Sequence, residues 1–244
     1  MFLAGFVDAV AGGGALIGLP AYFLAGLPAH LALGTNKTAS SVGTVVSSIK
    51  YFKSGNVRAA IALPAAAGSF VGAAAGARLA LLLPEQTVKL MLLAVLPCVA
   101  LFLSFNRGFG MKKTEIALPV GRQIPLSALI GVVLGGYGGL VGAGTGTFFI
   151  LAFTAVLGTD LLTGAGCTRV ANLASNLASM AVFAAAGKVD WSLAVPAAVL
   201  CGAGQYVGSV YALRGGSKNV RKVIFLVLGL LFVKVGLELM GVEL

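Results

Sequence analysis

Charged side chains are scarce in this sequence. Of its 244 residues only 10% are charged and 59% are hydrophobic, and the mean hydropathy is +1.02. A soluble domain carries about 25% charged residues, so this composition excludes an ordinary water-soluble protein. Several apolar stretches also reach about 20 residues, the length at which a helix crosses the core of a bilayer. The sequence therefore predicts an all-α integral membrane protein.

Residues that carry catalysis or bind metals are also few, with one histidine, three cysteines and seven acidic residues. Cys98, Cys167 and Cys201 are scattered through apolar stretches and lack the paired spacing of a metal site or a disulfide framework. His30 has no evident nucleophile or base near it in the sequence. No phosphate-binding loop of the Gly-x4-Gly-Lys-Ser/Thr type occurs. We therefore expect neither an enzyme, nor a cofactor or metal, nor coupling to ATP.

The net charge of +10 reflects how few acidic residues there are. The basic residues lie in short loops between apolar stretches, as the positive-inside rule describes for membrane proteins, so we expect no nucleic-acid partner. Residues 1–11 precede any Lys or Arg, which is not typical of a signal peptide. The predicted apolar stretches are Phe2–Leu27, Leu33–Phe52, Ala59–Leu83, Val88–Phe105, Ile124–Gly158, Gly164–Ala186, Trp191–Leu213 and Val223–Met240.

The chain contains the same pattern twice. A shift of 132 residues superimposes matching residue types at eight positions: Gly12 on Gly144, Gly14 on Gly146, Gly34 on Gly166, Lys37 on Arg169, Gly55 on Gly187, Pro64 on Pro196, Gly72 on Gly204 and Gly76 on Gly208. Such duplication is a common plan of transporters. We predict one membrane domain made of a first repeat (1–106), a cytoplasmic linker (107–123) and a second repeat (124–244).

The first stretch of each repeat is broken by glycines, at Gly12–Gly14 and Gly142–Gly146. If each broken stretch enters the membrane and returns, three full crossings remain per repeat, and the odd number inverts the second repeat. The basic loops then share one face, in agreement with the positive-inside rule, and both termini lie outside. If the broken stretches cross fully, the basic loops divide between the two faces. The sequence favours the inverted arrangement, and the full crossing stays open.

Two cations stand out because they lie in apolar stretches at equivalent positions of the repeats, Lys37 and Arg169. A cation at bilayer depth costs roughly 2.5–3.5 kcal/mol on insertion scales and usually faces a cavity or a partner. Helices that restart after the glycine breaks would offer free amide groups to an anion. These features predict an anion site; its candidate residues are Lys37, Arg169, Gly13, Gly14, Thr145, Gly146, Thr35, Asn36, Asn172 and Asn176.

More ordinary interpretations remain open for the same residues. Lys37 could extend to the membrane surface or pair with Asp8, and the polar side chains could simply join helices. Asp8 and His30 could each take a proton, which would suit a coupling role, although an interfacial position without a special role explains both as well. A proton, sodium or the substrate alone would then drive transport. Homo-oligomerisation also stays open.

The motifs resemble a known family. The segment Gly5-Phe6-Val7-Asp8-Ala9-Val10-Ala11-Gly12-Gly13-Gly14, followed by Leu19-Pro20 and Gly34-Thr35-Asn36-Lys37, resembles the first half of the TauE/SafE sulfite exporter family. The segment from Gly138 through Gly146 to Arg169 resembles that family's second repeat. The resemblance implies an inner-membrane secondary transporter, usually an exporter, of small sulfur-containing anions such as sulfite, sulfonates or sulfoacetate.

The expected mechanism is alternating access around a site between the repeats. Two functions of other classes use some of the same features. A passive anion channel would employ the same cations. A scaffold subunit that holds a partner in the membrane would not need two buried cations in register.

Overall fold

The computed structural model describes residues 1–88, 90–91 and 119–239, and of Val120 and residues 224–239 only the backbone. Every regular element in these ranges is an α-helix, which confirms the predicted all-helical class. The helices are α1 Phe2–Ala11, α2 Ala15–Leu24, α3 Ala29–Lys53, α4 Ala59–Leu82, α5 Val120–Leu140, α6 Thr145–Leu157, α7 Leu161–Ala185 and α8 Trp191–Leu239. Helix α8 kinks at Gly216. Most of the predicted stretch Val88–Phe105 and of the linker 107–123 lies outside the described residues.

Apolar side chains lie on the outside of this bundle and polar ones within it. Leu63, Phe70 and Val71 of α4 are exposed, as are many apolar side chains of α5 and α8, whereas Lys37 and Arg169 are buried. Three helical ranges are long and apolar enough to cross a membrane: Ala59–Leu82, Gly121–Leu140 and Trp191–Val223. This distribution suits lipid rather than water around the protein.

Helices α3 and α7 have 25 residues each, so each is about 37 Å long, enough to span a bilayer. They are less apolar than the other long helices because polar side chains fill their buried faces. The two helices pack against each other in opposite directions. Gly34 lies against the carbonyl of Lys188, and Gly166 lies against the carbonyl of Asn56. Thus the start of α3 meets the end of α7.

The glycine breaks turn each first stretch back on itself. Helix α1 ends at Gly12, whose φ of +79° favours glycine. Helix α2 then returns along α1, because Gly14 lies against Ala4 and Gly18 lies near Met1. In the same way α6 returns along α5, with the ring of Phe148 5.5 Å from that of Tyr137. Each broken stretch is therefore a short helical hairpin.

Glycines also allow two pairs of helices to pack in direct backbone contact. On α4, Gly72 lies so close to Val132 of α5 that an added Cβ would come within 2.1 Å of the carbonyl oxygen. On α8, Gly204 lies equally close to the carbonyl of Phe2. The contacts advance along both helices of each pair, so α5 runs parallel to α4 and α1 runs parallel to α8. The four-residue glycine spacing predicted this packing, which is confirmed.

Contacts in one half of the chain recur in the other half. Helices α3 and α7 begin 132 residues apart, as do α4 and α8. The first helices are instead 130 residues apart, because Gly12 corresponds to Gly142, which has the same φ of +79°. The constant shift had matched Gly12 with Gly144. The two additional residues lie between Gly144 and α7.

The helix directions bring the basic residues to one end of the bundle. Asn56 meets Gly166 at this end, and Ser217 donates to Asp160 at 3.3 Å nearby. The basic side chains here are Lys50, Lys53, Arg58, Arg122, Arg214, Lys218, Arg221 and Lys222. At the opposite end Glu85 accepts a hydrogen bond from Ala29 N at 2.7 Å, beside mixed charges at Lys188 and Asp190.

Candidate functional site

The two glycine breaks meet at the centre of the bundle. A Cβ added to Gly12 would come within 2.2 Å of the carbonyl carbon of Gly146, so the two backbones touch. The Thr147 hydroxyl donates to the carbonyl of Ala11 at 2.8 Å and ties the breaks together. Because of this contact, the starts of α2 and α6 lie close to each other.

A small polar cavity adjoins this contact. Its volume is about 20 Å³, roughly the space of one water molecule. The lining residues are Asp8, Gly12, Ala15, Asn36, Lys37, Ser40, Gly142, Thr145, Gly146, Asn172 and Asn176. They come from α1, α2, α3, α6, α7 and both breaks. The cavity therefore lies where the two halves of the chain meet.

Lys37 supplies the cation of the cavity. Its side chain is buried, with 4% of the residue exposed, and its Nζ donates to Asn176 Oδ1 at 3.2 Å. Asn176 Nδ2 in turn donates to Thr44 Oγ1 at 3.2 Å, which fixes the orientation of the amide. In the described part of the chain Lys37 makes no ion pair. It neither reaches the membrane surface nor pairs with Asp8.

Arg169 has a different environment from its counterpart Lys37. It is fully buried, and its Nη1 forms an ion pair with Asp8 Oδ2 at 3.3 Å. Arg169 does not line the cavity, which Asp8 faces instead. Thus one of the two predicted cations faces the cavity directly, and the other neutralises the carboxylate on the cavity wall.

Gln205 of α8 completes the surroundings of Asp8, and the sequence gave no sign of its role. Its Nε2 donates to Asp8 Oδ2 at 2.7 Å, and its Oε1 accepts a hydrogen bond from Ser47. An amide in an otherwise apolar stretch, beside the packing glycine Gly204, was the available signal. Ser40 and Gly142 of the cavity wall also went unpredicted.

The other predicted residues divide into two groups. Asn36, Thr145, Gly146, Asn172 and Asn176 line the cavity with Lys37. The remaining four lie away from its wall: Gly13, Gly14, Thr35 and His30.

Each of three residues outside the wall has a structural contact. Gly14 N donates to Asp8 Oδ1 at 3.4 Å, and Thr35 accepts from Asp190 N at 3.0 Å. His30 Nε2 donates to the carbonyl of Ala80 at 2.9 Å near the end of α4. His30 is therefore not placed to take protons from the cavity.

The model of the "Sulfite exporter TauE/SafE" family matches residues 1–235. The chain belongs to this family. It is 34% identical over 231 residues to the probable membrane transporter protein ORF9 of a Sinorhizobium species, covering 93% of this chain and 85% of the relative. It is 28% identical to the probable membrane transporter protein YfcA of Escherichia coli K12, covering 99% and 88%.

A probable membrane transporter protein of Haemophilus influenzae is 32% identical over 192 residues, covering 79% of this chain and 74% of the relative. No solved structure matches the chain. The family and these relatives identify the TauE/SafE protein described here as a membrane transporter rather than an enzyme, which confirms the resemblance seen in the motifs.

The ion pair predicts how the fold responds to loss of its charges. Asp8→Asn leaves Arg169 buried without a counter-charge, which costs about 3–5 kcal/mol. We therefore expect a clear fall in the unfolding temperature of the detergent-solubilised protein. The double variant Asp8→Asn/Arg169→Gln removes both charges together and should recover much of the loss. Equal stability of the single and double variants would contradict the pairing.

Proposed function

We propose that this transporter moves small sulfur-containing anions, such as sulfite, sulfonates or sulfoacetate, out of the cell by binding them at Lys37. The observation that carries the proposal is the unequal pairing of the two cations. Arg169 is neutralised by Asp8 at 3.3 Å, whereas Lys37 has only the neutral partner Asn176 within hydrogen-bonding distance. A buried cation with no counter-charge is unfavourable until an anion joins it.

The matching of the two halves explains why Lys37 lacks a carboxylate. With the 130-residue offset of the first helices, the position equivalent to Asp8 is Gly138 of α5. A glycine there cannot provide the negative charge that Asp8 provides for Arg169. Asp8, Lys37 and Arg169 together therefore leave one excess positive charge at the centre. In our proposal the substrate anion supplies the charge that Gly138 does not.

The start of α6 adds hydrogen-bond donors to this site. Thr145 and Gly146 line the cavity and lie in the first turn of the helix, where backbone N–H groups have no acceptor within the helix. The positive end of the helix dipole points the same way. The amides of Asn36 and Asn172, also on the cavity wall, would orient the oxygen atoms of the anion.

Alternating access requires the halves to move, and the cavity indicates the same need. About 20 Å³ is too small for a sulfur oxyanion, so the site must widen for substrate to enter. We propose that the halves are inverted repeats, since equivalent helices α3 and α7 run antiparallel and the basic ends coincide. Rocking of one repeat against the other would open the site to each side in turn.

This arrangement places the basic end of the bundle in the cytoplasm, by the positive-inside rule. Because α1 runs parallel to α8, it begins at the opposite end, so the N-terminus would lie outside the inner membrane. The closed cavity favours a transporter over a passive channel, which would need a continuous pathway.

Flux into proteoliposomes tests the site. We expect Lys37→Met to reduce sulfite or sulfoacetate flux at least tenfold, because charge-assisted hydrogen bonds to an anion contribute about 1.5–3 kcal/mol. Lys53→Met is the matched control, since Lys53 is exposed at the end of the same helix. Equal flux in the two variants would refute the site. Flux that does not saturate with substrate would favour the channel.

Membrane orientation tests the inverted repeats. Ser54 and Ala186 are exposed residues at equivalent positions after α3 and α7. In a background without native cysteines, Ser54→Cys should react with an impermeant thiol reagent only from the cytoplasmic side. Ala186→Cys should react only from outside. Labelling of both positions from the same side would exclude the inversion.

A further inference from the structure

The two oxygens of the Asp8 carboxylate have unequal surroundings. Oδ2 accepts from Gln205 at 2.7 Å and pairs with Arg169 at 3.3 Å. Oδ1 has only a long contact, 3.4 Å from Gly14 N. The side chain remains 12% exposed, and Asp8 lines the cavity. Oδ1 is therefore the oxygen with capacity for another hydrogen bond, at the wall of the cavity that also holds Lys37.

Asp8 cannot readily turn away from this position. Arg169 and Gln205 hold it from α7 and α8, and Gln205 is itself held by Ser47 of α3. An ionised carboxylate only accepts hydrogen bonds. An oxyanion bound at Lys37 would thus meet a fixed acceptor across a narrow space, which is repulsive unless a proton lies between the two.

We propose that Asp8 selects anions that carry their own hydrogen-bond donor. This inference rests on the proposed binding of the anion at Lys37. Lys37 would hold the oxygens of a monoanionic sulfur oxyanion, and Asp8 Oδ1 would accept from an N–H or O–H group of the same molecule. Hydrogensulfite and sulfonates with a nearby hydroxyl or amino group belong to this class. Sulfonates without a donor leave the carboxylate unpaired and bind more weakly.

The device belongs to the first half of the chain only. The positions that correspond to Asp8 and Gln205 in the other half are Gly138 and Ala73, which have no polar side chain. The two halves thus contribute different chemistry to one cavity, a free cation from α3 and a held acceptor from α1. Selection by a single fixed acceptor needs no further acidic residue, and among the described residues no other acid lines the cavity.

Two small probes isolate the donor. Sulfamate and methanesulfonate are monoanions of nearly the same shape, and they differ by an amino group in place of a methyl group. We expect the purified full-length protein in detergent to bind sulfamate at least tenfold more tightly by isothermal titration calorimetry, because hydrogen bonds to charged groups are strong. The double variant Asp8→Asn/Arg169→Gln should reduce this preference to about twofold or less.

The outcomes separate this inference from the proposed function. If wild-type protein binds both probes equally and Lys37→Met binds neither, the anion site stands and selection by Asp8 is wrong. If wild type binds neither probe while sulfite flux still depends on Lys37, selection by Asp8 is likewise wrong. A preference for sulfamate that persists in the double variant also overturns it. Because the comparison of probes on wild type decides the main point, the inference stays testable even if the double variant does not fold.

Discussion

The ion pair between Asp8 and Arg169 is the interaction on which the charge balance of this transporter depends. It joins the first helix to the seventh across most of the chain and neutralises the more deeply buried cation. Because Asp8 is committed to Arg169, Lys37 keeps its charge at the cavity with only an amide for a partner. An isolated buried cation is costly, and the cost is relieved when an anion binds. The same interaction thus stabilises the fold and leaves the site ready for substrate.

Close backbone contacts make this arrangement possible. Gly12 and Gly146 bring the two breaks together, and Gly72 and Gly204 let α4 and α8 lie directly against their neighbours. Any side chain at these positions would separate the helices that carry Asp8, Lys37 and Arg169. The high glycine content therefore serves packing around the site. Movement of the halves is compatible with such contacts only where neighbouring helices move together.

Several features could be predicted from the sequence because they depend on spacing. The duplication, the packing glycines and the position of Lys37 at a central cavity follow from a regular offset and from a cation in an apolar stretch. The Asp8–Arg169 pair and the role of Gln205 could not be predicted, because they join residues 161 and 197 positions apart through the packing of α1 against α7 and α8. The two additional residues before α7 escaped a constant offset, since glycines on either side match almost equally well.

The central claim is that the substrate supplies a negative charge missing at Gly138. Transport by Gly138→Asp tests it most directly, with Gly138→Asn as a neutral control of equal size. Either side chain must displace Thr145 and Ser175 to the same degree, since a Cβ at Gly138 would lie 2.9 and 3.2 Å from them. We predict that Gly138→Asp pairs with Lys37 and reduces sulfite flux at least tenfold below that of Gly138→Asn. Equal flux in two correctly folded variants would contradict the account.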